Sequence, residues 1–310
     1  MDTRDESWRL AKKQHALRRR AMMIQAIRRF FDERDYFEVD TPIRIPAPAP
    51  EEHIDAIPSG DWFLQTSPEL CMKRLIAAGY PKIFQISKCF RAAERGGLHL
   101  PEFTMLEWYR RESDYRALMQ ECEDLILFVA QTLDGGDVIF YQGSGIALQA
   151  PWMRISVADA FARYASLSMK EALEKDCFDE IMTGEIEPRL GRSHPVFLYD
   201  YPVELGALAR VKKTDSALAE RFELYMGGLE LANAFTELTD EKEQRSRFER
   251  VRHKRRAAGK AVYSMPEPFL SSLRHMPEAA GIALGVDRLA MLFTDSASID
   301  DIVAFTPEML

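Results

Sequence analysis

Apolar positions recur along the chain with two periods, and the switches between them mark out its elements. From Ser7 to Phe37 the spacing of Leu10, Leu17, Met22, Ile24, Ile27, Phe30 and Phe31 is helical, with arginines opposite, and predicts one long amphipathic helix. Residues 37–50 (FEVDTPIRIPAPAP) are extended, because their prolines forbid helix. Trp62–Gln65 reads as a short strand. Thr66-Ser67-Pro68-Glu69 then opens a helix to about Ala78, with Ser67 as N-cap and proline at the first helical position. The period next drops to two. Lys82 to Arg91 places Phe84, Ile86 and Phe90 on one face and Gln85, Ser87 and Arg91 on the other. Pro101 to Arg111 gathers Phe103, Met105, Glu107 and Tyr109 on one face, so two strands are joined by a charged, glycine-containing loop.

Asp114 to Leu133 is helical, with Leu118, Met119, Leu125, Ile126 and Val129 inward, and 134–151 holds two short strands. Helices follow from Ser156 to about Glu180, opened by a capping-box-like Ser156 and Asp159. Residues 151–193 offer no recognisable chemistry and read as a helical insertion packed on a single domain spanning 1–310. His194 to Asp200 is a strand, and Leu208 to Lys212 is expected to extend the same sheet. In 221–240 (RFELYMGGLELANAFTELTD) the Gly227-Gly228 pair predicts a two-residue hairpin turn. That register puts Glu223, Tyr225, Glu230 and Ala232 on one side, with Glu223 and Glu230 diagonal neighbours roughly 7–8 Å apart. Glu237 would then face away, unless a bulge near Asn233 turns it back. Thr239 to Lys260 reads as a solvated basic helix, and Ala280 to Phe293 as a buried strand running into a helix with Arg288 at its start.

Composition narrows the class. With 46% hydrophobic and 29% charged residues over 310 positions, the chain can bury a substantial core. No apolar run approaches the roughly 18 residues of a membrane span, and the N-terminus, charged and mixed, does not read as a secretion signal; a cytoplasmic protein is expected. A net charge of −8 argues against broad affinity for a phosphate backbone, although basic residues gather in Lys12–Arg29 and Arg245–Lys260. Cys71, Cys89, Cys122 and Cys177 show neither pairing nor metal-ligand spacing and are expected as reduced thiols.

The candidate chemistry lies around the two strands after Lys82. The Arg91 guanidinium can grip a phosphate with two prongs, the Phe103 face can stack on a purine, and Glu107 with Tyr109 can hold an ammonium group. Glu69 occupies the first turn of its helix, where a carboxylate is favoured. Glu223 and Glu230 repel unless a cation lies between them, which Mg²⁺ carrying nucleotide phosphates would supply. Gly285 allows close backbone approach to a ligand, with Arg288 placed to meet a terminal phosphate.

The string F-R-x-x-E-R-G-x-x-H-x-P-E-F-T-M-L-E-W-Y-R at 90–110 resembles motif 2 of the class II lysyl-tRNA synthetases, in particular their short paralogues that attach lysine or β-lysine to translation elongation factor P. The helix before Thr41-Pro42 resembles motif 1, and G-x-D-R-L at 285–289 resembles motif 3, so the likeness covers nearly the whole chain. It implies an α+β fold, the class II catalytic core, with an antiparallel sheet flanked by helices and a homodimer through the motif 1 region. It also implies ATP and Mg²⁺, with an aminoacyl adenylate as intermediate. Arg91 would hold the α-phosphate and act with Arg288 in catalysis, Phe103 would stack on adenine, and His99 would approach the triphosphate. Glu230, Leu231 and Gly285 would complete the nucleotide site. Ser67, Pro68, Glu69, Glu107, Tyr109, Asn233, Glu237 and Ala283 would form the amino-acid pocket, Glu69 meeting the α-amino group and Glu237 the ε-ammonium.

Three positions depart from the family pattern. The motif usually reads F-R-N-E, but Ala92 and Ala93 follow Arg91 here, so a carboxylate near the adenine amine is missing and neighbouring Glu94 is its candidate replacement. Leu100 stands where asparagine is usual. Ala283 replaces the glycine of lysyl-tRNA synthetases and matches the elongation factor P ligases. The sequence ahead of motif 1 has no room for the barrel that grips an anticodon, so a protein acceptor, elongation factor P, is expected in place of tRNA. Two other readings are an amide-forming ligase for a small amine and a non-catalytic paralogue that senses an amino acid. Retention of Arg91, Glu223, Glu230 and Arg288 argues against the second of these.

Overall fold

A computed structural model describes residues 3–133 and 135–310. The N-terminal amphipathic stretch is two helices, α1 (Thr3–Lys12) and α2 (Gln14–Asp32), and not the single helix its spacing suggested. Lys13 marks the break, its ammonium donating to the carbonyl of Val303 at 3.1 Å. The buried stripe of α2 is Met23, Ala26, Ile27, Phe30 and Phe31. Met22, expected inside, is 41% exposed, because the i, i+3/i+4, i+7/i+8 series runs from its neighbour Met23. The helix stops short of Phe37 because Asp35 takes φ of 58°, a left-handed conformation that aspartate tolerates and a helix does not.

The extended stretch contributes β1 (Phe37–Glu38) and β2 (Arg44–Ile45), the latter pairing with β4 (Trp62–Leu64), which also carries β3 (Pro58–Ser59). Helix α3 (Glu69–Ala77) begins one residue later than the proline spacing suggests, with Pro68 at its cap. Ser67 still caps it, its hydroxyl accepting from the Glu69 amide at 3.0 Å. Then come β5 (Lys82–Phe90), β6 (Glu102–Arg111), α4 (Tyr115–Leu133) and a hairpin of β7 (Val138–Tyr141) and β8 (Ser144–Ala147). Residues 151–193 start as an edge strand, β9 (Met153–Ser156), before α5 (Val157–Tyr164), α6 (Met169–Glu174) and α7 (Phe178–Ile181). These helices close a small apolar cluster over Leu198, Tyr201 and Tyr225. The chain returns through β10 (Val196–Pro202), β11 (Leu218–Met226), β12 (Leu229–Thr236), α8 (Glu241–Ala257), α9 (Glu267–Ser272), β13 (Ala279–Gly285) and α10 (Val286–Thr294).

The main sheet has eight strands in the order β1-β5-β6-β13-β12-β11-β10-β9. All pairings from β5 to β10 are antiparallel; β1 and β9 join the edges in parallel. One face is apolar and packs on α2, α4 and α10, where Phe31 stacks on Phe84 at 4.6 Å and meets Trp108 at 5.3 Å. Strict alternation leaves Phe103, Met105, Glu107 and Tyr109 of β6 on the other face. Leu208–Lys212 makes only isolated bridges, Ala209 to Glu237 and Val211 to Ala219, and adds no strand. The described structure holds all four cysteines as free thiols, Cys89 and Cys122 buried.

Two expectations about the polar elements change. The hairpin turn forms as expected, with Gly227 and Gly228 at φ of 63° and 77°. Its register keeps Tyr225 opposite Glu230 but then shifts, so that Leu224 faces Ala232 and Glu223 faces Asn233. The bulge is thus at Leu231, two residues before the place assigned to it. Leu231 and Ala232 both enter the apolar core, so Ala232 leaves the side shared by Glu223 and Glu230, while Asn233 and Phe235 join it. Helix α8 is also no mere solvated element: Gln244, Arg247 and Arg255 are buried. The Arg255 guanidinium donates to the carbonyls of Glu51 (2.8 Å), Ile54 (3.0 Å) and Ala261 (2.7 Å), and pairs with Asp55 at 2.6 Å. It ties the 51–55 loop to the helix.

Candidate active site

Two cavities lie side by side on the open face of the sheet and share Arg91 and Met105 as a common wall. The first, about 200 Å³, is lined by Arg91, Glu94, His99, Phe103, Glu230, Leu231, Gly285 and Arg288, so every residue expected in the nucleotide site meets here. The Arg91 guanidinium lies 5.0 Å over the Phe103 ring, and its Nε is buried without an acceptor. An orphaned cationic donor beside an aromatic face fits a phosphate next to a base. Ala93 sits at φ of 62°, and the carboxylate of Glu94, 3.8 Å from Arg91, stands in the cavity wall near the missing family carboxylate. At Gly285 neither φ (−72°) nor a neighbour requires glycine, since an added Cβ would meet nothing closer than 3.8 Å. The space kept open there is space for a ligand.

Arg288 is held at both ends of its fork. One nitrogen donates to the Glu230 carbonyl at 2.8 Å, and the other meets His99 Nε2 at 2.5 Å. A guanidinium can only donate, so that imidazole nitrogen accepts and the ring is neutral; burial and then the charge of Arg288 lower its pKa. Asp287, the preceding residue, accepts from the Thr104 amide (2.7 Å) and from Arg20 (2.8 Å), which fixes the start of α10 against β6 and α2.

The second cavity, about 280 Å³, is lined by Ser67, Glu69, Glu107, Tyr109, Asn233 and Ala283 among others. Pro68 contributes no wall and acts through the turn that sets Ser67 and Glu69. Glu107 accepts from the Ser67 hydroxyl at 2.6 Å and from the Tyr109 hydroxyl at 2.8 Å. Burial first, then the charge of Glu69, lift its carboxyl to about 7 despite those hydrogen bonds. Glu237 does not line the cavity; it lies 1% exposed just beneath the floor formed at Gly281. A Cβ at residue 281 would fall 2.1 Å from the Tyr109 ring and 2.5 Å from Glu237 Oε1, so glycine is required there.

Lys73 was not singled out by the sequence, because a lysine four residues after a glutamate reads as a surface helix pair. Its ammonium is buried, 2.6 Å from Glu69 and 2.5 Å from Glu237 Oε2. Oε1 of Glu237 is buried and has no hydrogen-bond partner. Lys73 is held charged by these carboxylates against its burial, whereas burial lifts Glu237 to about 8, Lys73 opposing and Glu69 adding to the rise. Lys73 is the cation in direct contact with Glu69 and Glu237, while Arg91 and Arg221 line other parts of the cavity, so the carboxylates at this end outnumber the charge that touches them.

Glu223 and Glu230 are on one side of the sheet but differently engaged. Glu223 accepts from the hydroxyls of Tyr201 (2.6 Å) and Tyr225 (2.7 Å) and from Arg221 (2.6 Å). Glu230 is 42% open to the nucleotide cavity, yet its recessed position and then the charge of Glu223 raise its pKa. Among the described residues no group of three or more His, Cys, Asp or Glu is arranged to hold a metal alone. Both oxygens of Glu223 are taken by the Tyr201, Tyr225 and Arg221 donors and it does not line the nucleotide cavity, so a cation arriving on phosphate oxygens would meet Glu230 and not the pair.

A third cleft, about 740 Å³, joins the amino-acid cavity through Glu51, Leu205, Ala207 and Arg221. Its far walls come from α7 and the turn after it and from α8, so the 151–193 region frames this cleft, which no pattern in the sequence announced. The basic stretches are largely paired within the chain, as in Arg20 with Asp287, Arg28 with Glu38, Arg245 with Glu267 and Lys254 with Glu52.

The family model for class II tRNA synthetases (D, K and N) matches residues 2–309. An elongation factor P--(R)-beta-lysine ligase of Pectobacterium carotovorum is 39% identical, covering 97% of this chain and 98% of that protein. The protein of the same name from Hamiltonella defensa is 38% identical over 94% of this chain and 95% of its own length. A lysine--tRNA ligase of Clostridium perfringens is 34% identical over 93% of this chain, which spans only 63% of that relative. Motifs, sheet topology, paired cavities and these likenesses agree that the chain belongs to the class II tRNA synthetases of the D, K and N group.

Proposed function

We propose that the protein activates lysine or (R)-β-lysine with ATP and transfers the aminoacyl group to a lysine side chain of translation elongation factor P. The observation that carries this reading is the shared wall at Arg91 and Met105: a nucleotide cavity and an acidic amino-acid cavity meet at a guanidinium, where a carboxylate and an α-phosphate would have to react. Arg91 and Arg288 stabilise the charge that develops on phosphorus, Phe103 takes the adenine, and Glu69, Glu107 and Asn233 receive the diammonium substrate, with Glu237 acting through its charge from beneath the floor. Ala283, paired with Glu107 and Asn233 across the sheet, adds a methyl group to the cavity and favours the β-isomer. Glu230, with Glu223 behind it, would hold Mg²⁺, which supplies neutralisation and alignment of the phosphates when bound.

The test separates the steps: enzyme, ATP and labelled (R)-β-lysine or lysine are incubated with elongation factor P or with tRNA. Label is expected on the factor and not on tRNA. Label on tRNA alone would overturn the acceptor, and no pyrophosphate exchange with any amino acid would leave a non-catalytic paralogue. We further propose that two copies pair through α2 and the strand after it. Phe37 (60%) and Tyr80 (40%), whose rings lie 6.0 Å apart, are exposed at that strand, and Ile43 (44%) is exposed a few residues further along, which is costly surface for a monomer. Sedimentation is expected to give a dimer that Phe37→Glu weakens; a wild-type monomer would refute it. No described helix is long and apolar enough to cross a membrane, and the acceptor places the enzyme in the cytoplasm.

A further inference from the structure

The proposed transfer leaves one chemical requirement that none of the residues discussed above meets. The acceptor lysine arrives as an ammonium ion, with a side-chain pKa near ~10.4, and cannot attack a carbonyl until it loses a proton. Its path is set by the cavities: the wide cleft opens onto the amino-acid pocket at Glu51, Leu205, Ala207 and Arg221. Of these only Glu51 can accept a proton at neutral pH.

Glu51 is also the one acid of its loop left without work in the fold. Glu52 pairs with Lys254 at 2.7 Å and Asp55 with Arg255 at 2.6 Å, whereas Glu51 is bound only through its backbone carbonyl, to Arg255. Its side chain has no partner among the described residues and lines both cavities. The same arginine that pins the loop therefore presents a free carboxylate at the junction. We propose that Glu51 is the base for the transfer step, taking a proton from the acceptor ammonium as it passes from the wide cleft to the adenylate.

The reading rests on the proposed transfer to elongation factor P, and its balance is simple. One N–H proton moves from the ammonium to the Glu51 carboxylate, and from there through the open cleft to water. The freed amine pair forms the C–N bond to the adenylate carbonyl, and the C–O bond breaks with its electrons leaving on AMP. The second N–H proton departs to water as the amide forms. Four charged groups face Glu51: Arg91 from the end of β5, Glu69 from α3, Arg221 from β11 and Glu94 from the motif 2 loop. Burial lifts the Glu51 carboxyl to about 7, Arg91 and Arg221 drawing it down while Glu69 and Glu94 push it up. Against an ordinary glutamate near ~4.3, this narrows the gap to a lysine ammonium by roughly two to three pKa units.

The experiment compares two nucleophiles on the same adenylate. Hydroxylamine is largely unprotonated at neutral pH and needs no base, while elongation factor P does. In Glu51→Gln, transfer to the factor is expected to fall about 10²–10⁴-fold relative to hydroxamate formation by the same variant, the range for a lost general base. In the wild type, transfer should rise with pH and level off above about 7; in the variant it should climb on toward the acceptor's own ~10.4. An unchanged ratio of transfer to trapping would overturn the assignment. If the variant forms no adenylate, the wild-type ratio of transfer to hydroxamate formation decides alone, since the ratio cancels the pH dependence of activation: levelling of the ratio supports the role of Glu51, and a continuous climb refutes it. Wild-type hydroxamate without any transfer to the factor would instead show that the acceptor reading had failed, and would remove this one with it.

Discussion

Replacing lysine by norleucine is expected to lower kcat/KM in the activation step by about 10⁴–10⁵-fold, the penalty when a site built for a polar group receives an analogue lacking it. The two molecules are close in shape, so the difference lies in charge. Lys73 is the cation in direct contact with Glu69 and Glu237, and Glu237 Oε1 is buried with no partner. An ammonium from the substrate would bring the opposing charge into the cavity above it; a methyl group would leave the shortage in place. The same arrangement gives a pH dependence. Glu107 and Glu237 are raised to about 7 and about 8, so below those values they are protonated and attract an ammonium weakly. The KM for lysine is therefore expected to fall as pH rises from 6 through about 8, with a proton released on binding. Pyrophosphate exchange over a pH series measures both effects, and comparable activation of norleucine and lysine would end the assignment of the pocket.

The second large effect is expected at Arg91. Arg91→Ala should lower adenylate formation about 10²–10³-fold, or roughly 2.7–4 kcal/mol, the scale for losing one preorganised donor to a developing charge. Arg91 lies in the wall between the two cavities, and its unsatisfied Nε awaits an acceptor. Such a donor favours the transition state over bound nucleotide only if it is rigidly placed, and the Phe103 ring at 5.0 Å and Glu94 at 3.8 Å hold it. The loss should appear in kcat as well as in kcat/KM, whereas a purely binding role would alter KM alone. Near-normal exchange by the variant would refute the role.

Much of this was legible in residue order, for a physical reason. The face shared by Phe103, Met105, Glu107 and Tyr109 follows from the two-residue period of a strand, and the turn at Gly227-Gly228 from the backbone freedom of glycine. Such local rules, with the likeness of residues 90–110 to motif 2, were enough for the class II core and to bring most of the expected residues to the two cavities, although Glu237 and Pro68 line neither. Periodicity carries no information on where a long pattern breaks. The division falls at Lys13, whose side chain meets a carbonyl near the far end of the chain, and the inward place of Met23 depends on what α2 packs against.

The register of β12 shows the limit most clearly. The sequence required an irregularity to bring Glu237 round, but its position at Leu231 was decided by the core, which accepts both Leu231 and Ala232. Lys73 and Arg255 could not be told from surface cations by their neighbours in sequence; burial against partners distant in the chain makes one the counter-charge of the pocket and the other the anchor of the 51–55 loop. Glu51 belongs to the same class. Its sequence neighbours Glu52 and Asp55 look equivalent, and only the packing of α8 against their loop pairs those two and leaves the third carboxylate between two cavities. Residue order alone determined the central strands, the hairpin turn and the motifs, because these depend on backbone preferences over a few positions, while the strand expected at Leu208–Lys212 and the edge strand β9 show where that failed. The tertiary structure decided which charges are paired, because pairing depends on distances between segments that the order of residues does not contain.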